Sequence, residues 1–294
     1  MLPSPNGSHR IFTLFGITAY LHWTWLIGAV FFYQFSGLEP IVFISSYVGL
    51  FLIVLMHEFG HSLACRWVGG KAEHIVLFPL GGVAYVNPPP RPGAVLWSVA
   101  AGPLVNVVLI PIFMLAQVYW IGSQDTLTEP LSSFQQMIIW LSRINLVLLI
   151  FNILPIYPLD GGQIVQSILW FFIGYRKSLQ ITASIGMVAG IGMVVLGLFS
   201  GEFMLIILAV FIFFQALKGY GHAKLLAMNE KWEQNMQDMQ QNMQDMFNRA
   251  PGGGTSGSGG FGTPGGRASG AKPQDDADIF DPKTHTKKRY MDED

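Results

Sequence analysis

Residues Leu52 to Cys65 read LIVLMHEFGHSLAC. The stretch has the apolarity of the inside of a membrane helix, yet it carries His57, Glu58 and His61. A polar or charged group costs free energy where water is scarce unless a partner satisfies it, so the fold turns on what that partner is. The two histidines stand four apart, hence on one face of a helix, where both imidazoles can reach one ion. Glu58 lies beside them, placed to hold a water on that ion. H-E-x-x-H on a helix is the spacing of a zinc-dependent hydrolase, with the glutamate as general base.

The rest of the chain agrees with a membrane setting. Of 294 residues, 51% are hydrophobic and 12% charged, too apolar for an ordinary soluble domain. The net charge of -1 hides a division: residues 1–223 hold 8 Lys/Arg and 7 Asp/Glu, and the last 71 hold the other 9 and 11. This describes an apolar body with a polar C-terminal appendage. A single cysteine, Cys65, excludes an internal disulfide framework. The N-terminal MLPSPNGSHRIF does not read as a secretory signal, because the apolar segment after it is long and aromatic and lacks a small-residue cleavage pattern.

Crossing about 30 Å of hydrocarbon takes roughly 20 apolar residues. Six segments are expected to do so: Leu14 to Phe35, Ile41 to Cys65, Val95 to Ile121, Met137 to Pro155 with a broken continuation to Ile173, Ile181 to Phe199, and Phe203 to Leu217. Arg10, Arg66, Lys71, Arg91, Arg176, Lys177, Lys218 and Lys224 fall in alternate connections, whereas SGLEP, GSQDTLTEPLSSFQQ and SGE contain no Lys or Arg. By the retention of basic loops on the cytoplasmic side, both termini are expected there, in a multi-pass protein of the inner or plasma membrane. Arg143 is the exception, near the outer end of the fourth span.

Between the second and third spans, HIVLF and VAYV flank PLGG, which reads as a β-hairpin or looped strand pair. Non-helical backbone at membrane depth must be buried in protein or line a wet cavity, so this element is a candidate docking edge for an extended peptide. After Leu217 the sequence contains NMQDM twice, seven residues apart. Leu225, Trp232, Met236, Met239, Met243 and Met246 mark one apolar stripe on a helix that could pair with a copy of itself. Beyond it, PGGGTSGSGGFGTPGGRASG reads as linker and the charged end as a disordered tail, whose KTHTKKR is too short to imply a nucleic-acid partner. The expectation is therefore an all-α polytopic membrane protein with a membrane-associated hairpin or loop after the second span. It divides into a membrane domain (1–220), a Met/Gln-rich amphipathic cytoplasmic helix (221–250) and a linker with tail (251–294).

Two histidines and a water leave tetrahedral zinc one ligand short. Of the seven carboxylates before the tail, only Glu58 and Asp160 lie within apolar runs. Asp160, in NILPIYPLDGGQ, follows a span broken by Pro155, Pro158 and the Gly161–Gly162 pair. Depth agrees. His57 is nine residues from Arg66, about 14 Å along a straight helix, and Asp160 lies seventeen residues beyond Arg143 at the opposite face.

HEFGH in an apolar helix, followed by a membrane-embedded loop, AAGPLVN and FNILPIYPLDGG, resembles the site-2 protease family of intramembrane zinc metalloproteases. The resemblance covers about Ile11 to Leu217. It implies one zinc ion per chain held by His57, His61 and Asp160, Glu58 as general base, and Asn152 near the substrate or its oxyanion. It also implies that the loop at Leu80, Gly81, Gly82 and Val83 binds a transmembrane protein substrate in extended form, within the lipid bilayer. No PDZ-type insert or paired CBS pattern is visible, so control of access is expected to lie elsewhere, with the Met-rich helix a candidate. A rival class is a multi-span transporter or metal permease built on the broken helix and buried Asp160. Glu58 separates the two, since permeation needs no base beside zinc-spaced histidines.

Overall fold

A computed structural model of the chain describes residues 7–79, 81–122 and 130–249. Leu80 and the expected linker and tail (251–294) lie outside the described residues. The elements are β1 (Ser8–Leu14), β2 (Ile17–His22), α1 (Thr24–Ser36), α2 (Pro40–Trp67), β3 (Lys71–Phe78), β4 (Gly81–Asn87), α3 (Pro92–Ile121), α4 (Ser133–Ile153), α5 (Asp160–Ile173), α6 (Tyr175–Ser200) and α7 (Phe203–Arg249). Among the described residues, five helices, α2, α3, α4, α6 and α7, are long and apolar enough to cross a membrane. Their outward side chains are bare: Leu115 of α3 is 70% exposed and Phe199 of α6 88%, the mark of surfaces solvated by lipid. The protein is integral to a membrane.

The first expected span is corrected. Leu14 to Phe35 is not one helix but the end of β1, strand β2 and a 13-residue α1, about 20 Å long and short of a full crossing. Phe15 and Gly16, both at positive φ, make a tight turn, and ITAYLH alternates inward and outward as a strand does. The backbone groups of this segment are satisfied by a sheet that apolarity alone does not announce. The architecture is thus mostly helical with a four-stranded sheet, and the all-α expectation gives way to that.

The sheet order is β1-β2-β3-β4, with β1 and β2 antiparallel, β2 and β3 parallel, and β3 and β4 antiparallel. The hairpin expected from HIVLF and VAYV is therefore present as β3 and β4, and β4 is an edge strand. Ile17, Ala19, Ile75 and Leu77 project from one sheet face onto Val54, Leu55 and Phe59 of α2, forming a buried core. Arg66, at the end of α2, fastens the sheet to the helix: its guanidinium donates to the carbonyls of Phe15, Gly16 and Ala72. A second cluster, Ile53, Leu109 and Leu141, joins α2, α3 and α4.

Small residues set the closest helix approaches. A Cβ on Gly60 would lie 2.7 Å from the Ala101 carbonyl oxygen, so the backbones of α2 and α3 come close together there. Gly186 and Gly190 of α6 face Ala216 and Phe213 of α7 in the same way. The broken continuation after α4 is observed, with residues 154–159 non-helical before Asp160 opens α5. The last expected span and the expected Met-rich helix are one continuous α7, which contains no proline to stop it. By contact the chain divides into units 1–238 and 239–294. Of the second, residues 239–249 are described, as the C-terminal turns of α7.

Candidate active site

His57 and His61 lie one turn apart on the buried face of α2. Their imidazoles meet Asp160 at the start of α5. His57 Nε2 is 3.1 Å from His61 Nε2 and 3.1 Å from Asp160 Oδ2, and His61 Nε2 is 3.4 Å from the same oxygen. The loop and the DGG sequence make this meeting possible. A Cβ on Gly161 would lie 2.2 Å from the Ile153 carbonyl oxygen, and one on Gly162 2.3 Å from the Tyr157 nitrogen, so only bare backbone folds this tightly against the end of α4.

The outer nitrogens of both rings are committed. His61 Nδ1 lies 2.9 Å from the Ser98 carbonyl oxygen, which can only accept, so Nδ1 carries the proton. His57 Nδ1 donates to Asn106 Oδ1 at 2.7 Å. Both Nε2 atoms therefore direct lone pairs at each other and at Asp160 Oδ2, a buried oxygen with no hydrogen-bond donor of its own. Three electron-rich atoms facing one another without a proton between them call for a cation. Zinc bonds of about 2.0–2.1 Å in tetrahedral geometry separate neighbouring ligand atoms by about 3.3 Å, and the three observed separations bracket that value. The donor set fits zinc, with two imidazoles, one carboxylate and a fourth position left for water, as a catalytic site requires.

Space for the cluster comes from Gly102 on α3. A Cβ there would lie 2.2 Å from His61 Nε2 and 2.9 Å from His57 Cε1. Glu58 is buried next to the cluster and turned toward β4. Gly82 packs on it so closely that an added Cβ would come within 2.4 Å of Glu58 Cγ. Gly81 and Val83 belong to the same strand, so the described part of the expected substrate loop abuts the expected base. Asn152 is half-buried in the last turn of α4, seven residues after Asn145 and hence on the same side of the helix. Its side chain makes no hydrogen bond among the described residues.

The family profile described as peptidase family M50 matches residues 45–197, just over half the chain and inclusive of every residue of the site described above. The chain belongs to peptidase family M50. Among its relatives, a zinc metalloprotease of Methanocaldococcus jannaschii is 34% identical over 213 residues, covering 72% of this chain and 60% of that protein. A Synechocystis sp. protein provisionally named a zinc metalloprotease is 34% identical over 195 residues, covering 62% and 49%. This M50 chain thus spans about half to three fifths of the length of these two relatives. Among solved structures, a site-2 protease from Methanocaldococcus jannaschii superposes with a TM-score of 0.56 at 32% identity, covering 72% of this chain and 95% of that one. Membership of the M50 family lends no support to the transporter reading of the broken helix.

Reasoning from carboxylates and histidines found the cluster but missed Ser98, Gly102, Asn106 and Asn145 of this M50 site. Asn106 and Asn145 are fully buried. The cost of a polar group in an apolar run, applied to Glu58 and Asp160, holds equally for amides and would have singled them out.

Proposed function

We propose that this chain is an intramembrane zinc metalloprotease of the site-2 type, hydrolysing peptide bonds in or near the transmembrane segments of membrane-protein substrates. The observation that carries the proposal is the convergence of the His57, His61 and Asp160 lone pairs, with Glu58 buried beside them, a base that a transport site has no use for. His57, His61 and Asp160 hold the metal. Zinc, when bound there, supplies Lewis-acid activation of water and of the scissile carbonyl.

Glu58 takes a proton from the attacking water as its oxygen bonds to the carbonyl carbon, then delivers that proton to the amide nitrogen as the C–N bond breaks. Burial among the cluster and β4 keeps Glu58 out of bulk water, where its proton would otherwise exchange. Asn152 donates its side-chain amide to the developing oxyanion, a role supported by its unengaged side chain on the Asn145 side of α4. A substrate helix must unwind to expose a carbonyl, and the edge of β4 at Gly81, Gly82 and Val83, unpaired among the described residues, offers its backbone new hydrogen bonds.

Residues 1–220 form the catalytic part in this reading, with both termini cytoplasmic in an inner or plasma membrane, as the basic loops support. The 221–250 segment serves self-association, supported by its exposed stripe of Trp232, Met236, Met239 and Met243. The test is Glu58→Gln in purified protein with a transmembrane substrate. Zinc content should stay at one per chain while cleavage falls about a hundredfold to ten-thousandfold. Unchanged cleavage would overturn the assignment.

A further inference from the structure

The zinc-facing lone pair of His57 is not a free choice of that ring. We infer that Asn145 is a positioning residue that sets it, through a chain of hydrogen bonds whose direction is fixed at a backbone carbonyl. The inference rests on the metal site proposed above and assigns a function to two amides lying outside it.

The chain runs as follows in atoms. Asn145 Nδ2 lies 3.0 Å from the backbone carbonyl oxygen of Asn106, which can only accept, so this atom of Asn145 is the NH₂ group. The other end of the Asn145 amide is then its oxygen, and Asn106 Nδ2 donates to it at 2.8 Å. With its NH₂ so engaged, Asn106 must turn its own oxygen to His57, 2.7 Å from Nδ1. An acceptor there obliges Nδ1 to hold the ring proton and leaves Nε2 bare toward His61 and Asp160. Each step excludes its reverse. Both amides are completely buried, so no water can substitute for a missing partner or blur the order.

Without Asn145 the constraint ends. The Asn106 amide can rotate by half a turn and present its NH₂ to His57, which then accepts at Nδ1 and carries its proton on Nε2. That proton points into the metal position, and the ring ceases to be a ligand. His61 has no comparable vulnerability, because its Nδ1 is held directly by the Ser98 carbonyl. The two histidines are thus oriented by different devices, one built into the backbone and one relayed through side chains.

The test measures zinc affinity by chelator competition, and imidazole ligation by X-ray absorption, on the purified full chain and three variants. Asn145→Leu keeps the volume and removes the relay; affinity should fall about tenfold to a hundredfold, the usual effect of losing a partner behind a metal-bound histidine. Asn145→Asp, neutral in this burial, has one oxygen that accepts from Asn106 and one hydroxyl that donates to its carbonyl, so it should stay within about threefold of wild type. Asn106→Asp/Asn145→Leu should also bind zinc like wild type, since a carboxyl at 106 faces the cationic zinc-bound imidazole directly, stays ionised there, has no donor to offer and cannot be turned the wrong way. Wild-type affinity in Asn145→Leu, or equal losses in Asn145→Leu and Asn145→Asp, overturns the inference. A double variant that folds but stays weak overturns it even where Asn145→Leu alone does not fold. Absence of zinc from the wild-type chain would instead overturn the metal site itself.

Discussion

Gly102→Ala adds a single methyl group, and the structure fixes where it goes. The new Cβ would stand 2.2 Å from His61 Nε2 and 2.3 Å from its Cε1, where an ordinary van der Waals contact begins at 3.4 Å, so the ring must retreat by about 1.2 Å. A zinc–nitrogen bond tolerates only about 0.2 Å, and the Ser98 carbonyl holds the far side of the ring, so His61 cannot retreat and remain a ligand. Loss of one of three protein ligands should lower zinc affinity by more than about a hundredfold and abolish cleavage in step. Helix propensity works in the opposite direction, since alanine favours a helix interior over glycine by about 1 kcal/mol. Gly192→Ala isolates that term, for nothing lies within 4 Å of its added Cβ. The assay is zinc content and chelator competition for both variants, with thermal unfolding as the control for folding. If Gly102→Ala binds zinc as Gly192→Ala does, the geometry argued for the site is wrong.

Gly82→Ala places a Cβ 2.4 Å from Glu58 Cγ and should reduce kcat at least tenfold with zinc content unchanged, separating the base from the ligands in a turnover and metal assay. Asp160→Asn removes the one anionic ligand and should empty the site at zinc concentrations that saturate wild type, read by elemental analysis of the purified chain. Zinc at a hundredfold over its Kd should stabilise the wild-type protein by about 2.7 kcal/mol, and a chelator should reverse this in a thermal or denaturant unfolding experiment. Arg66→Ala removes the guanidinium bonds to Phe15, Gly16 and Ala72, and should cost about 1.5–3 kcal/mol and increase proteolysis of the N-terminal hairpin.

The metal cluster was legible because the forces that placed it are local. His57 and His61 share a helix face by spacing, and Asp160 is conspicuous as a carboxylate in an apolar run ended by DGG. The N-terminal strands were not legible, since ITAYLH preceding an aromatic helix has the apolarity of a span. What makes it a strand is pairing in parallel with β3, more than fifty residues away. The length of α7 was missed for the reverse reason: composition changes after Leu217, but composition does not end a helix without a breaking residue.

Sequence alone determined that the chain is a membrane protein, that a helix break lies in the Pro155 to Pro158 stretch before Asp160, and which three side chains have cause to seek an ion. Those conclusions follow from periodicity, from the cost of burying charge and from the backbone restrictions of proline and glycine, which need no knowledge of distant neighbours. Only the tertiary structure decided which nitrogen of each histidine faces the ion, that Gly102 leaves room for the rings, and that β4 lies on Glu58. These are contacts between segments 24 to 103 residues apart in the chain, and a hydrogen bond's direction is set by the atom across the gap.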